Sequence, residues 1–179
     1  VIDTERGTVI NIKITPGGYS ASIYGYIPTL KAIDINTKSV RTVIENVSMY
    51  SVKCSKDGKY LIYQVDNNNE WSYPVYSLVS LNLETGQTNL LLSSQDIISF
   101  NYCVTSDSKY VMFVDISDNN LKRIPINGGA IDTVAELPDN SYNISMSYDS
   151  KWLLYETMTA EIDTIKYVEL SGGGESSIT

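Results

Sequence analysis

Histidine is missing altogether from the 179 residues, and cysteine occurs only twice. Without imidazole there is no Ser-His-Asp or Cys-His pair and no histidine metal ligand. Two cysteines cannot build a four-thiolate zinc site or a dense disulfide framework. Basic residues are scarce as well: 13 Lys and Arg stand against 21 Asp and Glu, a net charge of -8. That balance argues against a nucleic-acid partner. Long apolar runs are absent; stretches such as Tyr60-Leu61-Ile62-Tyr63 are too short to insert into a membrane. No signal-peptide pattern stands at the N-terminus, which begins with Val1. Neither a Gly-x-Ser-x-Gly elbow nor a Gly-x-x-x-x-Gly-Lys-(Ser/Thr) loop occurs. Gly172-Gly173-Gly174 reads as a turn with no helix after it, not as a phosphate cradle. The expectation is a chain without catalytic residues, cofactor or metal.

What is present is a folded composition, 42% hydrophobic and 19% charged, with 14 Tyr against two Phe. Tyrosine suits strands that are half wet, where the ring packs and the hydroxyl reaches water. A repeat dominates the chain. Ser55-Lys56-Asp57-Gly58-Lys59-Tyr60-Leu61-Ile62-Tyr63, Thr105-Ser106-Asp107-Ser108-Lys109-Tyr110-Val111-Met112-Phe113 and Ser147-Tyr148-Asp149-Ser150-Lys151-Trp152-Leu153-Leu154-Tyr155 share one pattern. It is (Ser/Thr)-x-Asp-(Gly/Ser)-Lys-aromatic-apolar-apolar-aromatic. Thr15-Pro16-Gly17-Gly18-Tyr19 is taken as a degenerate fourth copy, so that Gly17, Asp57, Asp107 and Asp149 stand 40, 50 and 42 residues apart in turn.

Each copy is followed by an apolar strand and a polar turn, as in Ser80-Leu81-Asn82-Leu83-Glu84-Thr85-Gly86 and Arg123-Ile124-Pro125-Ile126-Asn127-Gly128-Gly129. Glycine and asparagine tolerate the positive φ that tight hairpins demand. Every unit therefore reads as a four-stranded antiparallel meander. No capped 3.6-residue apolar period appears, so almost no helix is expected. A period of about 40–50 residues with four strands per unit marks a β-propeller blade. The expected units are 8–46, 47–95, 96–140 and 141–179, with 1–7 as the tail of a preceding unit. All belong to one all-β propeller domain.

The Ser-x-Asp-Gly-Lys-Tyr-Leu-Ile-Tyr type of segment resembles the WD-like repeats of TolB-type propellers. Similar repeats form the propellers of dipeptidyl-peptidase and prolyl-oligopeptidase relatives. The resemblance runs from about residue 8 to the end. It implies a fold more sharply than a function, because these propellers serve many purposes. TolB-type propellers usually have six to eight blades. Four units then fit an arc of a larger propeller, with the remaining blades or a second copy at the open edges. A compact four-bladed ring is the other reading.

Asp57, Gly58, Asp107 and Asp149 are read as structural turn anchors that hydrogen-bond backbone between the first two strands of a blade. Candidate ligand or partner residues lie in the loops between second and third strands. They are Asn67, Asn69, Glu70, Trp71 and Tyr73 in one blade, and Asp115, Asp118 and Asn119 in the next. Trp71 and Tyr73 supply flat apolar area beside amides and a carboxylate, which suits a sugar face or a peptide. The plainer reading is a solvated hairpin loop. Asp115, Asp118 and Asn120 have oxygens at a spacing only loosely suited to Ca²⁺, without the glycine of an EF-hand loop. Cys54 and Cys103 are placed on opposite blade faces and read as buried free thiols. Asn46-Val47-Ser48 and Asn143-Ile144-Ser145 match the glycosylation triplet.

The functional expectation is a non-catalytic propeller module that binds a protein or glycan at a rim. The TolB-type resemblance implies an extracytoplasmic setting: periplasmic, secreted or cell surface. Two alternatives stand beside it. One is the gating propeller of a prolyl-oligopeptidase-like serine peptidase whose catalytic domain lies elsewhere. The other is a glycan-binding propeller.

Overall fold

A computed structural model gives the structure. It describes the backbone of residues 2–3, 8–16, 26–34, 36–45, 49–66, 76–93, 102–115, 117–158, 163–170 and 175–178. Side chains are described over 30–34, 36–45, 51–65, 76–93, 102–115, 117–157 and 164–170. The protein is all-β; among the described residues there is no helix, hence none long and apolar enough to cross a membrane.

Four antiparallel sheets follow one another along the chain. The first holds β1 (Ile2–Asp3), β2 (Thr8–Pro16), β3 (Tyr26–Asp34) and β4 (Val40–Ile44). The second holds β5 (Met49–Cys54), β6 (Tyr60–Asp66), β7 (Tyr76–Asn82) and β8 (Thr88–Ser93). The third holds β9 (Tyr102–Val104), β10 (Tyr110–Asp115), β11 (Asn120–Pro125) and β12 (Asp132–Glu136). The fourth holds β13 (Ser141–Met146), β14 (Trp152–Met158), β15 (Asp163–Glu169) and β16 (Glu175–Ile178). Each is a simple meander, so every strand lies beside its neighbour in sequence.

The registers superpose the four sheets residue by residue. Thr8 opposes Asp34, Tyr60 opposes Asn82, Tyr110 opposes Pro125 and Trp152 opposes Glu169. Two of these partners also make the same turn. Asp34 Oδ1 accepts the backbone N–H of Asn36 and Thr37 at 2.9 and 2.8 Å, and Asn82 Oδ1 accepts those of Glu84 and Thr85 at 2.9 and 3.1 Å. A register shift recurs where the third strand meets the fourth, at Leu30/Lys31, Leu78/Val79 and Leu121/Lys122. One extra residue there sharpens the local twist in each of the three sheets.

This alignment corrects the expected start of the first unit. Residues 1–7 are not the tail of a preceding unit, because Ile2 and Asp3 pair with Val9 and Thr8 inside the first sheet. Gly17 is not the counterpart of Asp57 either. Gly17 lies outside the described residues and in sequence comes after the second strand, whereas Asp57 comes between the first and second. Pro16-Gly17-Gly18 has turn composition, but strand pairing sets the register.

The sheets stack face to face, and the core lies in the seams. Leu30 and Ala32 pack with Leu61, Tyr63 and Leu81 between the first and second sheets. Ile62, Leu78 and Leu91 meet Tyr102, Val111, Phe113, Ile124 and Ile126 between the second and third. Cys103, Met112, Val114 and Leu121 meet Ile144, Leu153 and Tyr155 between the third and fourth. A sheet with a seam on both sides needs apolar residues at successive positions. Accordingly Leu61, Ile62 and Tyr63 on β6 are all buried, as are Val111 to Val114 on β10. On β14 burial alternates: Leu153 and Tyr155 are buried while Trp152 and Leu154 are exposed.

Candidate functional site

The meander topology puts two sets of connections at opposite ends of the stack. The turns from first to second strand lie at one end, and the loops from second to third strand at the other.

At the first end, three turns are built identically. The Ser55 hydroxyl donates to Asp57 Oδ1 at 2.6 Å, the same oxygen accepts Lys59 N–H at 3.0 Å, and Tyr60 N–H donates back to Ser55 Oγ at 2.9 Å. Thr105, Asp107, Lys109 and Tyr110 repeat these bonds at 2.6, 3.1 and 3.0 Å. Ser147, Asp149, Lys151 and Trp152 do so at 2.6, 3.1 and 3.0 Å. The Ser147 hydroxyl and Lys151 N–H hold the Asp149 carboxyl below its usual range. For Asp107, partial burial works the other way, but the Thr105 hydroxyl, Lys109 N–H and Lys109 ammonium prevail and lower it.

The residue after each anchor Asp has positive φ: Gly58 at 69°, Ser108 at 60° and Ser150 at 57°. Serine is strained there and glycine is not. The two serines have a use that offsets the strain. Ser108 Oγ accepts Asp57 N–H from the preceding sheet at 3.1 Å. Ser150 Oγ accepts Ser106 N–H at 2.6 Å and bonds Ser106 Oγ at 2.9 Å. These hydroxyls clamp each turn to the one before it. The Ser-for-Gly exchange in the repeat was a visible signal of this, but the acceptor's target lies 44 residues away for Ser150 and 51 for Ser108.

Beside these turns, a groove of about 310 Å³ opens between the third and fourth sheets, lined by Tyr110, Met112, Arg123, Val134, Met146 and Leu170. Arg123 lies 4.8 Å above the Tyr110 ring and pairs with Asp132 at 3.2 Å. No sequence motif announced this groove.

At the opposite end, where β10 turns into β11, Asp115 and Asp118 are brought together, while Asn119 is turned away from them. Lys122 Nζ lies 2.6 Å from Asp115 Oδ2 and 2.8 Å from Asp118 Oδ2. The ammonium sits between the two carboxylates where a cation would sit, so this loop is not arranged as a Ca²⁺ cage. Asp115 Oδ1 also accepts the Ser117 hydroxyl and N–H at 2.7 and 2.9 Å. Burial pushes the Asp115 carboxyl up, but Lys122 and Ser117 together bring it below its ordinary value. The Lys122 hydrogen bond lowers Asp118, and the two carboxylates raise Lys122 in return. Asn119, at φ 54°, donates through Nδ2 to Asp139 Oδ1 at 2.8 Å, tying this loop to the connection toward the fourth sheet. The loop bearing Asn67, Asn69, Glu70, Trp71 and Tyr73 lies outside the described residues, as does the triplet at Asn46.

Between the second and third sheets, Lys53 Nζ donates to the Tyr102 carbonyl and lies 4.7 Å from the Tyr102 ring centre. The Tyr102 hydroxyl donates to the Ile62 carbonyl at 3.1 Å. Burial lowers the Lys53 ammonium. Burial also pushes the Cys103 thiol up to about 12, against the pull of Lys53. Cys54 packs toward the first sheet and Cys103 toward the fourth; neither forms a disulfide, and Cys54 is half-buried rather than buried. Asn143 Nδ2 donates to Glu156 Oε2 at 3.1 Å.

No protein-family model and no curated protein matches the chain. Solved structures do. TolB from Acinetobacter baumannii matches with TM-score 0.66 at 15% identity, over 86% of this chain and 40% of that one. The β-propeller domain of the trilobed protease from Pyrococcus furiosus matches with TM-score 0.62 at 16% identity, over 97% of this chain and 54% of that one. The Pyrococcus horikoshii acylaminoacyl peptidase matches with TM-score 0.63 at 13% identity, over 97% of this chain and 31% of that one. The chain thus spans about a third to just over half the length of these structures. At such identities the likeness speaks for the fold, and the four meandering sheets with seam cores are blades of a partial β-propeller.

Proposed function

We propose that the chain is a non-catalytic β-propeller module that binds a protein or glycan at the rim formed by its second-to-third-strand loops, in an extracytoplasmic protein. One observation carries the non-catalytic part. Among the described residues, the carboxylates with displaced pKa values, Asp34, Asp107, Asp115, Asp118 and Asp149, are all shifted down, away from neutrality. A general acid or base works best with a pKa near the working pH. These groups instead spend their charge on turn backbone and on Lys122. The likeness to TolB supports the setting, and Trp71 with Tyr73 supports the rim as the binding surface. Glycan and peptide arrays probed with the wild type and with Trp71→Ala test this. The expected result is a bound set that the variant loses while its thermal unfolding stays unchanged. Equal signal from both proteins removes the rim reading.

The likeness to an acylaminoacyl peptidase favours a second reading, the propeller of a serine peptidase. The coding sequence on either side decides it: a nucleophile elbow followed by Asp and His supports a peptidase, and its absence removes one.

A further inference from the structure

We infer that the groove between the third and fourth sheets is a binding site for a small organic carboxylate with an apolar body, recognised by Arg123. The groove lies at the end of the stack opposite the rim loops, so the inference is independent of the rim reading.

The chain builds the same seam closed one sheet earlier. Register makes Ile62 equivalent to Met112, Ser80 to Arg123 and Val104 to Met146. Ile126 N–H donates to the Lys109 carbonyl and Leu170 N–H to the Lys151 carbonyl, which makes Ile126 equivalent to Leu170. Between the second and third sheets, Ile62 and Ser80 are 0% exposed and Ile126 is buried. Between the third and fourth, each β-branched residue of that set gives way to one unbranched at Cβ, and the serine gives way to arginine. Leu170 is only half-buried, and the Arg123 side chain is 42% exposed. Methionine bends to fit what it meets, where isoleucine and valine hold one shape. The result is a cavity of about 310 Å³ walled by Met112, Val134, Met146 and Leu170. That volume stands at the lower end of the roughly 300–1,000 Å³ of small-molecule sites, and apolar walls with a few placed polar groups are their usual composition.

Arg123 supplies the polar group. Its Nε and Nη2 both donate to a single oxygen, Asp132 Oδ2, at 3.3 and 3.2 Å. A strong guanidinium–carboxylate bond is shorter, about 2.7–2.9 Å, and an exposed pair contributes little. Nη1 has no partner among the described residues. A guanidinium resting over the Tyr110 ring with donors left over suits a carboxylate. Asp107 and Asp149 also border the groove, but both are committed elsewhere. Their Oδ1 atoms hold their own turns, and Lys109 and Lys151 stand 3.8 and 4.0 Å from their Oδ2 atoms. Each of these carboxylates brings its own counter-cation, so the charge left to recognise a ligand is positive.

The test titrates phenylpropionate into the full chain and follows NMR chemical shifts. Phenylpropanol and phenylpropylamine carry the same body with a neutral and a cationic end. The expected result is saturable shifts at the Met112 and Met146 methyl groups at millimolar concentration. The carboxylate is expected to bind about tenfold or more tightly than the alcohol or the amine, as a charge-assisted hydrogen bond implies. Arg123→Gln removes that preference. Asp132→Asn releases the guanidinium from its exposed pair and tightens phenylpropionate binding by up to about fivefold, a gain that damaged folding cannot produce. Several results overturn the inference: no shifts at these methyl groups, equal binding of the alcohol, a preference that survives Arg123→Gln, or binding not tightened by Asp132→Asn. Tighter binding of the amine overturns it too, because Asp107 and Asp149 would then read the charge.

Discussion

The hydroxyl of Ser150 receives the backbone N–H of Ser106 at 2.6 Å, across the seam between the fourth and third sheets. One side-chain oxygen thus does between blades what backbone pairing does within them. It explains why a serine holds a left-handed conformation at φ 57° that glycine would adopt without strain.

Ser150→Ala keeps the strain and loses the acceptor. An unmade hydrogen bond at a partly buried N–H costs about 1–2 kcal/mol. Ser150→Gly loses the same bond but relieves the backbone, so its loss is expected to be the smaller of the two. Urea denaturation of both variants measures this. Wild-type stability in Ser150→Ala would show that the clamp contributes nothing.

Replacing Gly58 by alanine forces a Cβ into φ 69°, where an L-residue is disfavoured by about 1–2 kcal/mol. A stability loss of that order is expected. A Gly58→Ala protein as stable as the wild type contradicts the turn geometry.

The Asp115–Lys122–Asp118 group gives a pH dependence with a defined sign. Both carboxyls have folded-state values below their unfolded ones. Their contribution is therefore present above about pH 4 and is lost as the pH falls through the folded values. Lys122 is raised, so its share is present below about pH 10 and is lost as the pH rises through its folded value. Lys122→Met leaves two carboxylates facing each other. It is expected to lower the unfolding midpoint more at pH 7 than at pH 3, where protonation removes the repulsion. A penalty that grows on acidification contradicts this pairing.

Thiol chemistry separates the cysteines. Cys103 is buried in the seam toward the fourth sheet, with its thiol pushed up to about 12, and Cys54 is half-buried. A disulfide reagent at neutral pH is expected to titrate one thiol per native chain, at Cys54, and two after unfolding. Two fast native thiols would contradict the placement of Cys103.

The fold was legible because its turns are written in local chemistry. Asp57, Asp107 and Asp149 each need only a Ser or Thr two residues back and a backbone N–H two residues on. The first unit was less legible. Thr4-Glu5-Arg6-Gly7 lacks the Asp-(Gly/Ser)-Lys letters, and Pro16-Gly17-Gly18 mimics a turn; only the pairing of Thr8 with Asp34 sets the register. In sequence, Asp115 and Asp118 read as ligand or partner candidates on a polar loop, because nothing local names a partner for them. Hairpin register instead brings Lys122 back over both. The clamps and the groove beside Arg123 depend on how two sheets stack, which no single segment encodes.

The central claim is that one repeat position is buried in the third sheet and open in the fourth. Urea denaturation of Met112→Ala and Leu154→Ala tests it most directly. Met112→Ala removes a side chain from a packed seam and is expected to cost about 2–4 kcal/mol. Leu154→Ala, on the open face, is expected to cost less than about 1 kcal/mol. Equal losses at the two positions would contradict the stacking of the sheets described here.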